Sequence, residues 1–476
     1  MRCRCLLWVV LLVGCAPAAG APEPVEEEAA AALLESWEYC SRTAVSLGVT
    51  LVEDTPYTSP MAPSTGGMVF SAEDDARGRE PWVSTGAPGA GTRLLKDVFP
   101  GVGGSEPHGF TRVGAKVFFA ANDPVAGREL FVSDGTPEGT VRVKDIWPGE
   151  VGSYPNALFE YQGLLYFTAG DPAHGRELWR SDGTAAGTVL VEDLVPGVED
   201  SSPDQLTRGG DGALYFVVSV RGLITRLMRL GVGPTAVEVM SVPSELGFQF
   251  PLMPVGRKLF FVRSLEHHGA VGLMMTEAGA PPVTLGTFAR VGELAAVGAR
   301  LVFSAAAHME EENLELWRSD GTAAGTVLVE DVRAGNVGSN PQNFAVLADT
   351  LFFAADDGTH GVELWDSDGT AARTRIFGDL ELGPGGSFPQ ALTVVEDHLF
   401  FSADVRGRGQ EPWVSNGFRV GTVPLTELAP GPRGSSPRSF RRSGWSVFFS
   451  AEDATGVRRL FALPFRPGGR CLVPEQ

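Results

Sequence analysis

A unit of about 48 residues repeats along most of this 476-residue chain and constrains its fold more than any other feature. Its clearest copies, residues 177–193 and 315–331, carry the same sequence, beginning Glu-Leu-Trp-Arg-Ser-Asp-Gly-Thr. A period of this length lies within the range of propeller blades and above that of leucine-rich or ankyrin repeats. The third position of the Glu-Leu-Trp triplet recurs 43 to 49 residues apart, at Trp82, Phe131, Trp179, Met228, Met274, Trp317, Trp365, Trp413 and Phe461.

Each unit has the pattern of four short antiparallel strands joined by tight turns. The 60 glycines and 34 prolines also favour a turn-rich all-β chain over a helical one. A single unit would expose its apolar faces, so neighbouring units must cover one another. The sequence therefore predicts a β-propeller of about eight to nine four-stranded blades over residues 38–476. For one unit the predicted strands are residues 155–160, 164–168, 177–181 and 188–192.

Two parts of the repeat array depart from the common pattern. Residues 203–289 lack the Ser-Asp-Gly-Thr turn. This loss could mark a functional specialisation or sequence drift in units that still pack adequately. We favour sequence drift. At the chain ends, residues 38–54 align with 177–193, and residues 470–473 align with 188–191. These partial copies predict that strands from both ends close a ring.

The amino terminus has the features of a processing signal. Arg2 and Arg4 precede an apolar run over residues 6–13, which is too short to span a bilayer. Leu-Leu-Val-Gly-Cys15 then resembles a bacterial lipobox, which implies that residues 1–14 are removed and that Cys15 carries lipid. The alternatives are a secretory signal cut near Ala19 and a membrane anchor. Residues 15–37, rich in Ala, Pro and Glu, follow as the lipidated Cys and a tether.

The expected location follows from the residue after the lipidated cysteine. Ala16 stands where an inner-membrane retention signal would place Asp. By resemblance to Gram-negative lipoproteins, we expect an outer-membrane lipoprotein, periplasmic or at the cell surface. A formal net charge of −20 argues against nucleic acid as a partner. Cys40 and Cys471 would remain in the mature chain and could form a disulfide, the alternative being two buried thiols.

The repeat resembles that of the bacterial ELWxxDGT repeat family, on the motif at residues 177–184, 315–322 and 363–370. The resemblance covers nearly all of the mature chain and rests on several copies at a fixed period. It implies a secreted or surface-attached propeller-like protein, without a defined activity or catalytic residue.

Repeated aromatic and acidic residues are the first site candidates. The aromatic residues of the triplet could form a ring for sugar stacking, but burial between blades is the better interpretation. The aspartates of the Ser-Asp-Gly-Thr turns could bind metal, but Asn416 replaces one of them without a charge and favours turn geometry. The predicted repeat core is Trp82, Phe131, Trp179, Trp317, Trp365, Trp413 and Phe461; the predicted turn residues are Asp134, Asp182, Asp320 and Asp368.

A second acidic pattern raises calcium as an alternative. Asp74, Asp123, Asp171 and Asp357 each precede a repeat glutamate by six residues, but no clustered calcium-binding loop is present. We therefore expect hydrogen bonding within the hairpin and no cofactor. The neighbouring pair His267-His268 is the one unusual histidine feature, with a metal site as the less favoured interpretation.

The sequence leaves two functions open. The first is a non-catalytic binding or scaffold propeller, monomeric and anchored to the membrane by lipid, with an unknown protein or glycan ligand. The second is a propeller enzyme acting on envelope or extracellular glycans. No Gly-x-Ser-x-Gly elbow, His-Glu-x-x-His helix or phosphate loop is present. An enzyme would need unlike polar residues on channel-facing strands. The sequence shows no convincing set of them, so we expect no catalytic site.

Overall fold

The computed structural model describes residues 43–51, 60–233, 235–265, 269–307 and 313–465. These residues form 36 strands, arranged in seven sheets of four strands and one sheet of eight. The larger sheet consists of two four-stranded units joined by a short pairing of β1 with β3, so the described residues form nine such units, called blades 1 to 9 below. The all-β propeller expected from the repeat is confirmed, and the count is nine blades.

Within each blade the strands run in chain order from the innermost to the outermost, except that the outermost strand of blade 9 comes from the amino end. β1 (Val45–Leu51) comes first in the chain but belongs to blade 9. Blade 1 contains β2 (Met61–Ser64), β3 (Gly67–Asp74), β4 (Gly78–Ser84) and β5 (Thr92–Leu94). Blade 2 contains β6 (His108–Val113), β7 (Lys116–Asp123), β8 (Gly127–Ser133) and β9 (Val141–Arg142). Blade 3 contains β10 (Asn156–Tyr161), β11 (Leu164–Asp171), β12 (Gly175–Ser181) and β13 (Val189–Glu192).

The central three blades include the two that lack the Ser-Asp-Gly-Thr turn. Blade 4 contains β14 (Asp204–Arg208), β15 (Leu214–Val220), β16 (Ile224–Leu230) and β17 (Ala236–Pro243). Blade 5 contains β18 (Phe248–Val255), β19 (Lys258–Ser264), β20 (Val271–Glu277) and β21 (Val283–Phe288). Blade 6 contains β22 (Arg290–Val297), β23 (Arg300–Ala306), β24 (Glu315–Ser319) and β25 (Val327–Glu330).

The last three blades return to the common pattern. Blade 7 contains β26 (Gln342–Leu347), β27 (Thr350–Asp356), β28 (Val362–Ser367) and β29 (Arg375–Gly378). Blade 8 contains β30 (Gln390–Val395), β31 (His398–Asp404), β32 (Gln410–Ser415) and β33 (Thr422–Pro424). Blade 9 contains β34 (Arg438–Ser443), β35 (Ser446–Glu452), β36 (Arg458–Pro464) and, as its outermost strand, β1. Short 3-10 turns cover Gly89–Gly91, Ser244–Leu246, Ala371–Arg373 and Arg419–Gly421.

The nine blades form a closed ring around a central channel. Each innermost strand contacts the innermost strand of the next blade, from β2 through β6, β10, β14, β18, β22, β26 and β30 to β34, and β34 contacts β2. We call the end of the channel where these strands begin the mouth. The connections between blades and the turns between second and third strands lie at this end. The turns after the first and third strands lie at the opposite end.

The hydrophobic core lies between the blades. Among the described residues it forms nine clusters, one for each neighbouring pair of blades. In one of them Phe118 and Val132 of blade 2 pack with Phe167 and Trp179 of blade 3. Because every sheet buries both faces against neighbours, no blade has a complete core alone.

The ring closes with strands from the two ends of the chain, as the partial repeats predict. β1 pairs antiparallel with β36, with Ser46 opposite Phe461. β1 takes the outermost position of blade 9, the position that the sequence assigned to residues 470–473. Residues 466–476 and the third-strand-like segment 38–42 lie outside the described residues.

The strand predictions for blade 3 are confirmed, with β10 to β13 at the expected positions and β11 and β12 longer than predicted. Blades 4 and 5 also form complete sheets, with outermost strands longer than those of most other blades. In the part of the chain that the structure describes, no helix is long and apolar enough to cross a bilayer.

Candidate functional site: the channel mouth

A buried glutamate–serine pair fixes the loop that leads from each of blades 1, 2, 3, 6, 7 and 8 into the innermost strand of the next blade. The glutamate of the Glu-Leu-Trp triplet lies in the third strand and is buried. Its carboxylate accepts a hydrogen bond of 2.5 to 2.8 Å from the hydroxyl of a serine in the following loop. The pairs are Glu80–Ser105, Glu129–Ser153, Glu177–Ser201, Glu315–Ser339, Glu363–Ser387 and Glu411–Ser435.

Backbone amides of the same loop also donate to these carboxylates. Glu80, for example, accepts from the amides of Val98, Phe99 and Ser105 at 3.0 to 3.1 Å. Burial nevertheless raises the pKa of every one of these six glutamates. Burial raises the pKa of Glu177 to about 7, and its Oε1 has no hydrogen-bond partner among the described residues.

The residue after each paired serine has a left-handed backbone although it is not glycine. The φ angles lie between 43° and 51°, a conformation that costs about 1–3 kcal/mol and persists only where its surroundings enforce it. Here the amide of each of these residues donates at 2.9 to 3.1 Å to a carbonyl at, or just before, the beginning of the third strand, and a proline follows. The side chains are diverse and mostly exposed: Glu106, Tyr154, Ser202, Asn340, Phe388 and Ser436.

The residue after that proline begins the innermost strand and differs from blade to blade. It is His108, Asn156, Asp204, Gln342, Gln390 and Arg438 in blades 2, 3, 4, 7, 8 and 9. Five of these residues are exposed and His108 is half-buried. Because the innermost strands form a ring, these side chains occupy six of the nine strand starts around the mouth.

One cavity of about 300 Å³ lies at this mouth among blades 7, 8 and 9. Its lining combines carboxamides, hydroxyls and a guanidinium with two apolar side chains. The lining residues are Gln342, Asn343, Gln390, Ala391, Ser402, Ser436, Pro437 and Arg438. Ser402 is buried, and its hydroxyl donates to the carbonyl of Gln390 at 3.3 Å.

Sequence analysis missed these mouth residues. A signal was present, because the position after each Ser-x-Pro changes identity while the serine and proline recur. The expectation that no unlike polar set lines the channel was therefore wrong. The position contributes a single carboxylate, Asp204, whose Oδ1 accepts from the amide of Gln205 at 2.8 Å. The cavity lining itself contains no acidic residue.

The predicted turn aspartates lie at the opposite end from the mouth. Each accepts from the amide and hydroxyl of the threonine two residues later; for Asp182 these distances to Thr184 are 2.8 and 2.7 Å. Hydrogen bonds from that threonine lower the pKa of Asp134, Asp182 and Asp320. The Asp182 carbonyl also accepts from Nζ of Lys116 in the preceding blade at 3.0 Å. Asp134, Asp182, Asp320 and Asp368 share the threonine contact.

The predicted repeat-core aromatics lie between blades and away from the mouth cavity. Each belongs to, or packs against, one of the inter-blade clusters. Phe131, Trp179, Trp365 and Phe461 are buried, whereas Trp82, Trp317 and Trp413 are partly buried. The structure therefore does not arrange them as an aromatic ring around the channel.

The aspartate and the glutamate of each candidate calcium site belong to separate hydrogen-bond networks. Asp171 Oδ1 accepts from the amides of Ala173 and His174 within its own turn, at 2.7 and 2.9 Å. Asp74, Asp123 and Asp357 accept equivalent bonds in their turns. The glutamate six residues later binds the serine loop instead. Among the described residues, no three His, Cys, Asp or Glu side chains lie together as a metal site.

Burial raises the pKa of Asp171, but the stronger combined effect of hydrogen bonds from His174 and Ala173 lowers it. The same contact raises the pKa of His174, and Asp357 acts likewise on His360. Cys15, Cys40, Cys471, His267 and His268 lie outside the described residues, so those expectations stay predictions.

No family model matches the chain, and no curated protein matches it. A prolyl endopeptidase matches with a TM-score of 0.43 and 13% identity, over 73% of this chain and 54% of that chain. A Mycobacterium tuberculosis puromycin-hydrolysing peptidase matches with a TM-score of 0.39 and 12% identity, over 78% and 60%. The β-propeller domain of the Trilobed protease from Pyrococcus furiosus matches with a TM-score of 0.36 and 13% identity, over 68% and 97%. The chain thus spans little more than half the length of the first two proteins. The assignment of this chain as a β-propeller rests on its own sheet order and ring of blades.

Proposed function

We propose that this chain is a cell-envelope lipoprotein whose propeller is a non-catalytic binding or scaffold module that holds its ligand at the channel mouth. One observation carries the proposal: the first residue of the innermost strand differs among six blades that otherwise repeat, and five of these six side chains are exposed. The repeated blades place these residues at equivalent backbone positions around the channel. Their side chains differ in charge and hydrogen-bonding capacity, which allows a specific ligand to be recognised.

Rigid presentation is the second support for a binding role. The buried glutamate–serine pair, the amide bond to the third strand and the proline fix the backbone just before each mouth residue. A site held in this way loses little conformational entropy when a ligand binds. The cavity of blades 7 to 9 offers several hydrogen-bond donors and acceptors in a small volume.

The cellular location in this proposal comes from the lipobox-like sequence ending at Cys15. Lipid on Cys15 would anchor the chain, and residues 15–37 would hold the propeller away from the bilayer. Metabolic palmitate labelling of cells that produce the full chain should label the wild type and lose the label in Cys15→Ser. Retained label in that variant would contradict lipidation at Cys15 without affecting the binding proposal.

Affinity capture from native envelope tests the binding role. The full chain in detergent is compared with a mouth variant, Gln342→Ala, Gln390→Ala and Arg438→Ala together. The matched control replaces exposed residues of the opposite end: Glu138→Ala, Arg257→Ala and Arg300→Ala together. We expect the wild type and the control to capture the same partner and the mouth variant to lose at least nine-tenths of it.

Two results would contradict the proposal. Equal capture by the mouth variant and the wild type, with unchanged melting of both, would place binding away from the mouth. Release of reducing sugars from envelope or extracellular glycans by the wild type, abolished in the mouth variant, would show a catalytic propeller instead.

A further inference from the structure

The chain enters the described propeller at the end of the ring opposite the mouth. β1 runs antiparallel to β36, with Val45 opposite Ala462, so β1 begins where the third strand of blade 9 ends. Third strands begin at the mouth and end at the opposite end, so the residues before β1 join the ring at that opposite end. We call the turns after the first and third strands, with two strand residues on each side, the far face.

Charge is distributed unevenly between the far face and the rest of the propeller. The far face contains fifteen lysine and arginine residues and twelve aspartate and glutamate residues. The other described residues contain eighteen basic and thirty-three acidic ones. The far face is therefore slightly positive, whereas the mouth and the body of the ring are strongly acidic. The overall charge of −20 conceals this difference.

Several far-face cations donate to backbone carbonyls instead of carboxylates. Nζ of Lys116 binds the carbonyl of Asp182 at 3.0 Å, and Nζ of Lys258 binds that of Asp320. Exposed guanidinium groups lie around the same face. They include Arg93, Arg112, Arg208, Arg257, Arg300 and Arg419. Guanidinium groups bind phosphate with two parallel hydrogen bonds, so this face suits a surface of phosphate groups.

Exposed aromatic side chains lie on the far face in blade 9, where the chain enters, and in blade 8. Trp445, in the turn after β34, is 62% exposed, and Phe418, in the turn after β32, is 68% exposed. The Trp445 carbonyl accepts from the amide of Phe465 at 2.8 Å, and Phe465 shares a hydrophobic cluster with Ala44, just before β1. Trp445 thus lies beside the point of entry. Tryptophan favours the interface between a membrane and water, where its ring meets the headgroups.

We propose that the far face lies on a phospholipid surface with anionic headgroups, so that the mouth points away from the bilayer. This inference rests on the lipid anchor of the proposed function and adds the surface through which the ring meets the membrane. The tether limits how far the ring can lie from the acyl chains, but a flexible tether does not fix its tilt. The exposed arginines fix it by binding headgroup phosphates, and Trp445 and Phe418 lie among the headgroups. The same surface repels the acidic mouth, which stays open to its ligand.

Tryptophan fluorescence reports which end of the ring touches the bilayer. The full chain, isolated with its lipid, is inserted into mixed phosphatidylcholine and phosphatidylglycerol vesicles whose acyl chains carry bromine near the headgroup. Trp37 of the tether is replaced by phenylalanine throughout, so that it does not contribute. We expect bromine to quench the emission and at least half of the quenched intensity to be lost in Trp445→Phe. Trp147→Phe, in a mouth loop of blade 2, is the matched control and should leave the quenching unchanged.

Two triple variants test the role of headgroup charge. The far-face variant combines Arg112→Gln, Arg257→Gln and Arg300→Gln. The matched control removes three exposed arginines at the mouth end, Arg406→Gln, Arg408→Gln and Arg433→Gln together. Quenching of Trp445 should be at least twice as strong in the mixed vesicles as in phosphatidylcholine alone. The far-face variant should lose this difference, and the mouth-end control should keep it.

Unchanged quenching in Trp445→Phe would overturn the inference, and loss of quenching in Trp147→Phe instead would show that the mouth faces the membrane. Equal quenching with and without phosphatidylglycerol would overturn binding to anionic headgroups. If the chain sediments with the vesicles but Trp445 is not quenched, this inference is wrong and the proposed lipid anchor stands. Capture of the envelope partner is measured in detergent, so its outcome is independent of this contact.

Discussion

At the residue scale, the spacing of the repeat motif reflects a close approach between its turn aspartate and its last glycine. Asp182 is held by Thr184, and the amide of Gly187 donates to the Thr184 hydroxyl at 3.0 Å. A Cβ atom on Gly187 would lie 2.2 Å from the Asp182 carboxyl carbon. The equivalent glycines Gly139, Gly325 and Gly421 meet Asp134, Asp320 and Asn416 equally closely. The glycine therefore recurs five residues after the turn residue because the carboxylate or carboxamide occupies its Cβ position.

We predict that Gly187→Ala lowers the free energy of unfolding by about 1–3 kcal/mol, as overpacking typically does. Asp182→Ala removes the carboxyl group with which the added methyl group of Gly187→Ala would clash. The double variant should therefore lose less stability than the sum of the losses of the two single variants. Denaturant unfolding of the four proteins measures this coupling. Strictly additive losses would show that the close approach does not set the motif.

Glu177 gives a pH-dependent prediction. Its pKa is about 7 in the folded protein against an ordinary value of 4.5, because burial disfavours the charged form. The folded state therefore binds the proton more tightly than the unfolded state. The stability that Glu177 contributes is complete below about pH 4.5 and is lost as the pH rises through about 7.

Glu177→Gln cannot titrate, so its stability should fall less than that of the wild type between these pH values. The difference should be at most about 3.5 kcal/mol, at about 1.4 kcal/mol per pKa unit. Thermal or denaturant unfolding across this pH range measures it, with the exposed Glu138→Gln as control. An identical pH dependence of Glu177→Gln and wild type would refute the raised pKa.

At the scale of the strand, the third position of the Glu-Leu-Trp triplet joins one blade to the one before it. Trp179 packs against blade 2, and Lys144 of that blade lies over its ring at 5.6 Å. The indole Nε1 of Trp179 is buried without a hydrogen-bond partner among the described residues. Phe131 and Phe461 fill the same position in other blades, which shows that a smaller ring without a donor also fits.

We predict that Trp179→Ala destabilises the protein by about 3–5 kcal/mol, because it leaves a cavity between two blades. Trp179→Phe should lose less than about half as much, since it keeps most of the ring and removes an unpaired donor. Melting temperatures and denaturant midpoints of the two variants provide the comparison. Equal losses would mean that the indole makes a specific contact that phenylalanine cannot replace.

The strands could be predicted from the sequence because the repeat displays them many times with the same turn chemistry. Blade 3 shows this well, since its four predicted strands overlap β10 to β13. The mouth was harder to find, because its residues differ between blades and only the Ser-x-Pro before each of them recurs. Glu293 illustrates the limit: its partners, Asn343 and Phe344, lie in the next blade about 50 residues away. That contact depends on how the blades are placed in the ring.

At the scale of the whole molecule, nine blades exceed the usual four to eight of propellers. The nine inter-blade clusters make each blade depend on two neighbours, so the ring gains its last interface only when blade 9 meets blade 1. β1 completes that step by pairing with both β36 and β3. Closure thus depends on a short strand at the amino end of the described propeller, which pairs with the last described strand, β36.

The chain ends give the last prediction. Cys40 and Cys471 lie outside the described residues, but Ala44 and Phe465, which lie four and six residues from them along the chain, belong to one hydrophobic cluster. A disulfide between the two cysteines would secure β1 against β36 and would add about 2–4 kcal/mol of stability. Peptide mapping without reduction, on protein isolated from the envelope, should recover Cys40 joined to Cys471. Cys40→Ser, Cys471→Ser and the double variant should lose equal stability, because each breaks the same bond. Recovery of both cysteines as free thiols would leave closure to β1 and its hydrophobic contacts alone.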